Sequence, residues 1–146
     1  QPYHAALRAE LDRIKAQHGY ALLWDAHSIR SQIPWLFDGR LPDLNIGTAN
    51  GAAADVGIAS AVARACANAS GISSVVNGRF KGGYITRHYG QPAQHVHAVQ
   101  LEKCQSLYMQ EVAPYAYDAH KAAAVQPVLE RMVAGAMTAA RGLYGR

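Results

Sequence analysis

No stretch of these 146 residues is long and apolar enough to read as a membrane span. Cysteine is scarce. The two thiols, Cys66 and Cys104, fall in segments patterned as a helix and a strand, which predicts reduced thiols and a cytoplasmic home and excludes a disulfide framework. The chain opens on Gln1-Pro2 without a basic-then-apolar leader, so it is expected to start inside a longer protein. A block of one charge is also missing. Fourteen Lys and Arg against ten Asp and Glu give +4, but Arg8, Arg13, Lys15, Arg40, Arg64, Arg131 and Arg141 are scattered, so no nucleic-acid face is expected. Only Arg79, Lys81, Arg87 and His88 cluster, in a loop where a local positive pocket suits a small carboxylate. There is no internal repeat and no low-complexity tract. The glycine-rich Gly78-Arg-Phe-Lys-Gly-Gly83 lacks the spacing of a phosphate-binding P-loop, and Ser28 lacks the G-x-S-x-G context of a hydrolase nucleophile.

Alternating helix and strand patterns are present instead. Tyr3, Leu7, Leu11 and Ile14 recur at helical spacing between Pro2 and Gly19, predicting an amphipathic helix over 2–18. The apolar run from Tyr20 to Asp25 reads as a strand buried on both faces. Residues 29–54 are rich in Pro, Gly, Asp and Asn and read as a long, functional loop with one short strand at Leu44–Gly47. A small-residue helix is expected over Asp55–Asn68, a strand over Ser73–Val76, an extended segment over Tyr84–Arg87 and a strand over His97–Cys104. A last helix, about Asp118–Leu143, carries Val125, Leu129, Met132, Val133 and Ala136 on one side, with Pro127 marking a kink or the start of a new helix. The pattern predicts one α/β domain over 1–146, three-layered, with a mainly parallel or mixed sheet and helices on both faces. Three or four strands are few for such a sheet, so part of it is expected upstream of Gln1. The exposed sheet edge that this leaves predicts self-association.

The chemistry concentrates at strand ends. Asp25 and His27 sit two apart in Trp24-Asp-Ala-His-Ser-Ile-Arg30, so an extended backbone points both to one side, where the carboxylate can orient the imidazole. A hydrolytic zinc site needs three protein donors and an open position; His27 is the one persuasive donor here. His95-Val96-His97 with His88 offers a self-contained alternative, but His97 has the wrong parity to face Glu102. Glu102 sits in the apolar run Ala98–Leu101, where an unpaired carboxylate is costly to bury. It is either salt-bridged to a loop arginine or a general base with a tuned pKa. Arg30, Arg79 and Arg87 are either solvated surface charges or bidentate holders of a substrate carboxylate.

Four ordered segments carry a resemblance: Tyr20-Ala-Leu-Leu-Trp-Asp-Ala-His-Ser-Ile-Arg-Ser31, Leu36-Phe-Asp-Gly-Arg-Leu-Pro-Asp-Leu-Asn-Ile-Gly-Thr48, Val76-Asn-Gly-Arg-Phe-Lys-Gly-Gly-Tyr-Ile-Thr-Arg-His-Tyr-Gly90 and His97-Ala-Val-Gln-Leu-Glu102. Together they resemble the carboxyl-terminal portion of the N-formylglutamate amidohydrolases. The resemblance implies a zinc-dependent exopeptidase-like, phosphorylase/hydrolase-like fold and hydrolysis of N-formyl-L-glutamate to formate and glutamate, a late step of histidine degradation. It implies that a divalent metal, zinc, takes His27 as a ligand, with further ligands in an amino-terminal part that this chain lacks. Asp25 would stand behind His27, and Glu102 would be the general base. Arg30, Asn77, Arg79 and Arg87 would hold the substrate's two carboxylates. Set against this is a non-catalytic module that binds small carboxylates or an acidic partner through Arg79, Lys81 and Arg87.

Overall fold

The computed structural model describes residues 1–67 and 69–145. Eight principal elements follow one another: α1 (Pro2–His18), β1 (Ala21–Ile29), β2 (Leu44–Gly47), α2 (Val56–Ala67), β3 (Ser74–Val76), α3 (Tyr84–Tyr89), β4 (Val96–Cys104) and α4 (Ala119–Tyr144). Local chemistry sets several boundaries. Proline opens α1, where its missing N–H costs nothing, and Gly19 closes it in the left-handed region at φ 81° with its N–H on the Lys15 carbonyl at 2.7 Å. Asp118 caps α4 by accepting the Lys121 N–H at 3.0 Å. Pro127 does not start a new helix: α4 runs through it without ending. The helix expected over 55–68 is α2; Asn68 lies outside the described residues.

The four strands form one mixed sheet in the order β1-β4-β2-β3. The pairs β1/β4 and β2/β3 are parallel and β2/β4 is antiparallel. Two side-chain clusters use alternate strand positions. Leu22, Trp24, Leu44, Ile46, Val99 and Leu101 pack with Ile58, Val62 and Cys66 of α2 and with Val128, Met132, Ala136 and Ala140 of α4. Ala21, Leu23 and Val96 pack with Leu7, Leu11 and Ile14 of α1 and with Ile85 and Tyr89 of α3. Fully burying a side chain such as Met132 or Ile58 stabilises by about 1.5–3 kcal/mol.

Two expectations need correction. The segment 84–87 is not extended; it is the start of α3, because Ile85 and Tyr89, one helical turn apart, both reach the α1-side cluster only in a helix. The first strand does not end at Asp25. It continues to Ile29, since β4 supplies hydrogen-bonding partners as far as the Ile29↔Cys104 pair.

Candidate active site

The parallel ladder between β1 and β4 sets Asp25 opposite Gln100 and His27 opposite Glu102. Paired residues share a face of a pleated sheet, so all four project to the side on which α1 and α3 pack. On the far side of Glu102, Asn45 of β2 is its antiparallel partner, and Gly47 is the partner of Gln100. The candidate residues therefore lie along the carboxyl-terminal half of the β1/β4 pair, as in open α/β sheets generally.

His27 and Asp25 are coupled: 2.8 Å separates His27 Nε2 from Asp25 Oδ1. The imidazole is exposed while the carboxylate behind it is mostly covered, so the carboxylate fixes the ring and leaves its other nitrogen toward solvent. Glu102 is buried at 8% exposure, and its Oε1 has no hydrogen-bond partner. Burial raises its pKa above the ordinary carboxylate range; His27 and Lys103 oppose the rise and Asp25 adds to it. Among the described residues no arginine is paired with it, so the loop arginines do not bridge to it. Asn45 orders its backbone: Nδ2 donates to the Pro42 carbonyl at 2.8 Å and to the Glu102 carbonyl at 3.2 Å.

The loop of 77–83 closes over this face. Asn77, at φ 52°, accepts the Thr48 and Asn50 N–H groups through Oδ1 at 2.8 and 3.3 Å and donates to Thr48 Oγ1 at 2.9 Å. It braces two loops together. Gln100 Oε1 accepts the Gly83 N–H at 2.7 Å, and Arg87 Nη1 donates to the Gly82 carbonyl at 2.5 Å. A Cβ on Gly47 would lie 2.5 Å from the Gly82 nitrogen, so only glycine lets the loop backbone descend this far onto β2. The result is a cleft lined by Arg79, Phe80, Lys81, Gly82, Gly83, Arg87 and Gln100. Three cations border it. Arg79 is exposed, held by a 3.5 Å contact to the Leu36 carbonyl and stacked over Phe37 at 5.2 Å.

Other expected residues lie elsewhere or are engaged. Arg30 Nη2 donates to the Glu111 carbonyl at 2.8 Å. His97 faces the α4 side, as parity requires; it accepts the Asp55 N–H at Nδ1, 3.1 Å away, and its Nε2 lies 2.7 Å from the Tyr144 hydroxyl. The His95-Val96-His97 alternative is thereby set apart from Glu102. Both cysteines are free and buried, and burial pushes the Cys104 thiol up to about 11, so it is no nucleophile at neutral pH. Among the described residues, no three of His, Cys, Asp and Glu converge to hold a metal. The donor chemistry thus fits one imidazole ligand at His27 and not a complete site. Asn45, Gly47, Arg40, Ser31, Ser106 and Glu111 were not singled out by their sequence pattern, since their partners lie far along the chain and single residues carry no periodic signal.

A family profile described as N-formylglutamate amidohydrolase matches residues 1–109. The N-formylglutamate deformylase of Pseudomonas putida is 59% identical over 91% of this chain and 50% of its own length. That of Pseudomonas aeruginosa is 57% identical over 98% of this chain and 54% of its own. The chain spans about half the length of the curated relatives it matches. A crystal structure of N-formylglutamate amidohydrolase from Ralstonia eutropha JMP134 superimposes with a TM-score of 0.79 over 97% of this chain and 51% of that one, at 23% identity. That likeness speaks for the fold alone.

Proposed function

The chain belongs to the N-formylglutamate amidohydrolase family, and from that premise we propose that it supplies His27 and Glu102 to a site hydrolysing the formyl amide of N-formyl-L-glutamate. The observation that carries this reading is the pairing of an exposed, carboxylate-oriented imidazole with a buried, unpartnered carboxylate on neighbouring parallel strands. The relatives are N-formylglutamate deformylases, and hydrolysis of that amide yields formate and glutamate.

A divalent metal, zinc in our reading, takes His27 as one donor, with Asp25 fixing the ring. We assign its other donors to the part of the relatives' length that these residues do not match. When bound, such a metal acidifies water and polarises the formyl carbonyl. The remaining steps belong to the chain's own side chains. Glu102, whose burial raises its proton affinity, accepts a proton from the attacking water and returns it to the departing amine nitrogen. Arg79 and Arg87 pair with the substrate carboxylates in the basic cleft, and Lys81 adds charge there. Arg30 and Asn77 are proposed with them; both are already bonded within the chain, so Arg79 and Arg87 carry more of the clamp.

The same reading assigns a three-layer, zinc-exopeptidase-like architecture, supported by α2 and α4 packing on strand positions alternate to those used by α1 and α3. It assigns a cytoplasmic home, which two free buried thiols fit. Among the described residues no helix is long and apolar enough to cross a membrane. Self-association through the sheet edge at β1 is proposed as well, since that strand pairs on one side only.

The test is a formate-release assay on the full-length parent with His27→Ala and Glu102→Gln variants; normal turnover in either removes the role assigned to it. The cleft's three cations favour one other reading, carboxylate binding without catalysis. Glutarate affinity that survives chelation in a parent releasing no formate would establish that reading instead.

A further inference from the structure

Beyond the ends of β1 and β4, one carboxylate joins the two chain exits. Ser31 stands four residues after His27 and Ser106 four after Glu102, continuing the register that ends at the Ile29↔Cys104 pair. Glu111 Oε1 accepts the Ser31 N–H at 2.6 Å and the Ser106 N–H at 3.1 Å, while Oε2 accepts the Ser31 hydroxyl at 2.5 Å. Arg40 grips the same two serines from their hydroxyls: Nη1 donates to Ser31 Oγ at 2.8 Å and Nη2 to Ser106 Oγ at 2.9 Å. Nη2 also reaches Asp43 Oδ1 at 3.3 Å. Ser31 is 1% exposed, so its bonds to Glu111 form away from bulk water, where they are stronger, while the Arg40 bonds to Ser106 and Asp43 lie at the surface.

We propose that Glu111 is a positioning residue, clasping the Ser31 and Ser106 amides so that the β1/β4 register holds His27 beside Glu102. This rests on the reading of those two residues given above. A slip of one residue would carry the Ser106 amide about 3.3 Å along the strand and break the clasp. The same slip would turn one of the two side chains to the opposite face of the sheet. The clasp thus tolerates only the register in which the reactive pair meets. Neither Glu111 nor Arg40 is required to touch substrate for this.

Amide hydrogen exchange on this chain tests the clasp without recourse to activity. In Glu111→Gln, which keeps the size and loses the charge, exchange at Ile29, Ser31 and Ser106 is expected to quicken about tenfold or more. Leu23, toward the other end of the same ladder, keeps its rate. Glu111→Asp falls between, and the milder Ser31→Ala gives a smaller change in the same place. A uniform change, or none, overturns the proposal. In the full-length parent, Glu111→Gln should lower kcat with KM held within about twofold, as a residue that orders the reacting groups without binding substrate does; Glu111→Asp should recover part of the loss. A raised KM at unchanged kcat overturns positioning, as does unchanged kcat in a parent that Glu102→Gln silences. Should Glu102→Gln leave turnover intact, the reading of the site fails, and the exchange rates alone decide whether Glu111 holds the register.

Discussion

His27 and Glu102 are direct partners across the parallel β1/β4 ladder, one exposed and oriented by Asp25, the other buried with an unsatisfied oxygen. Two groups of opposite solvation on one face can divide the work of binding and proton transfer. Their pairing makes several measurements decisive.

Glu102→Gln in the full-length parent is expected to cut turnover by about 100- to 10,000-fold, the usual worth of a general base. The same change should raise stability at pH 7, because a neutral amide escapes the penalty of holding a charge where burial raises the carboxyl pKa. Formate release and urea denaturation on one preparation check both signs.

Asp25→Ala should weaken metal retention and activity by about 10- to 100-fold, as loss of a ligand's orienting partner does. Chelation of the parent should abolish formate release, and added Zn²⁺ should restore it. This chain alone, whose described residues bring no three donors together, should retain no stoichiometric metal on gel filtration. Elemental analysis of the parent and of this chain reads each outcome.

Gly47→Ala drives a Cβ to 2.5 Å from the Gly82 nitrogen and 2.6 Å from the Lys81 carbonyl carbon. Both atoms belong to the Lys81–Gly82 peptide unit, so only a shift of the loop backbone makes room for the methyl. A loss of about 1–3 kcal/mol is expected, together with a raised KM as Arg79 and Lys81 move off the cleft. Equilibrium unfolding and steady-state kinetics separate the two effects.

His97 predicts an acid-sensitive fold. Burial holds its pKa below the ordinary histidine range; His95 adds to the drop and Asp55 opposes it. The unfolded chain takes up a proton near pH 6.5 while the folded ring, with the Asp55 N–H on Nδ1, resists it. Stability is therefore full above that pH, falls as pH drops through it, and levels off below the folded-state pKa. Urea midpoints at pH 7.5 and 5.5 should differ less in His97→Gln than in the parent chain. Tyr144→Phe, losing the 2.7 Å bond to Nε2, should cost about 1 kcal/mol at neutral pH.

Much of the scaffold was legible because it is written in local periodicity. The helical spacing of Leu7, Leu11 and Ile14, the glycine at 19 and the apolar run at 21–24 each follow from short-range chemistry, and the structure returns α1 where that chemistry puts it and begins β1 there, though β1 runs on to Ile29. The same parity rule that separated His97 from Glu102 holds in the sheet. The segment 84–87 was misread because its helix rests on contacts of Ile85 and Tyr89 with α1 and β1, which no local pattern records. Arg30 and Asn77 carried the right residue types, yet their hydrogen bonds to Glu111 and Thr48 depend on loops distant in the chain.

What the sequence determined by itself is that α1, α2, α4 and the four strands form, which side of each strand is apolar, and the presence of an Asp-x-His and a strand-borne Glu. Backbone propensity and side-chain alternation act over a few residues, so they can be read without coordinates. Only the tertiary structure decided that β1 lies parallel against β4 with His27 opposite Glu102, that Glu102 Oε1 is buried without a hydrogen-bond partner among the described residues, and that Glu111 closes the two strand ends. Those facts depend on which distant segments pair and in what register, a choice made by the packing of the whole sheet rather than by any stretch of it.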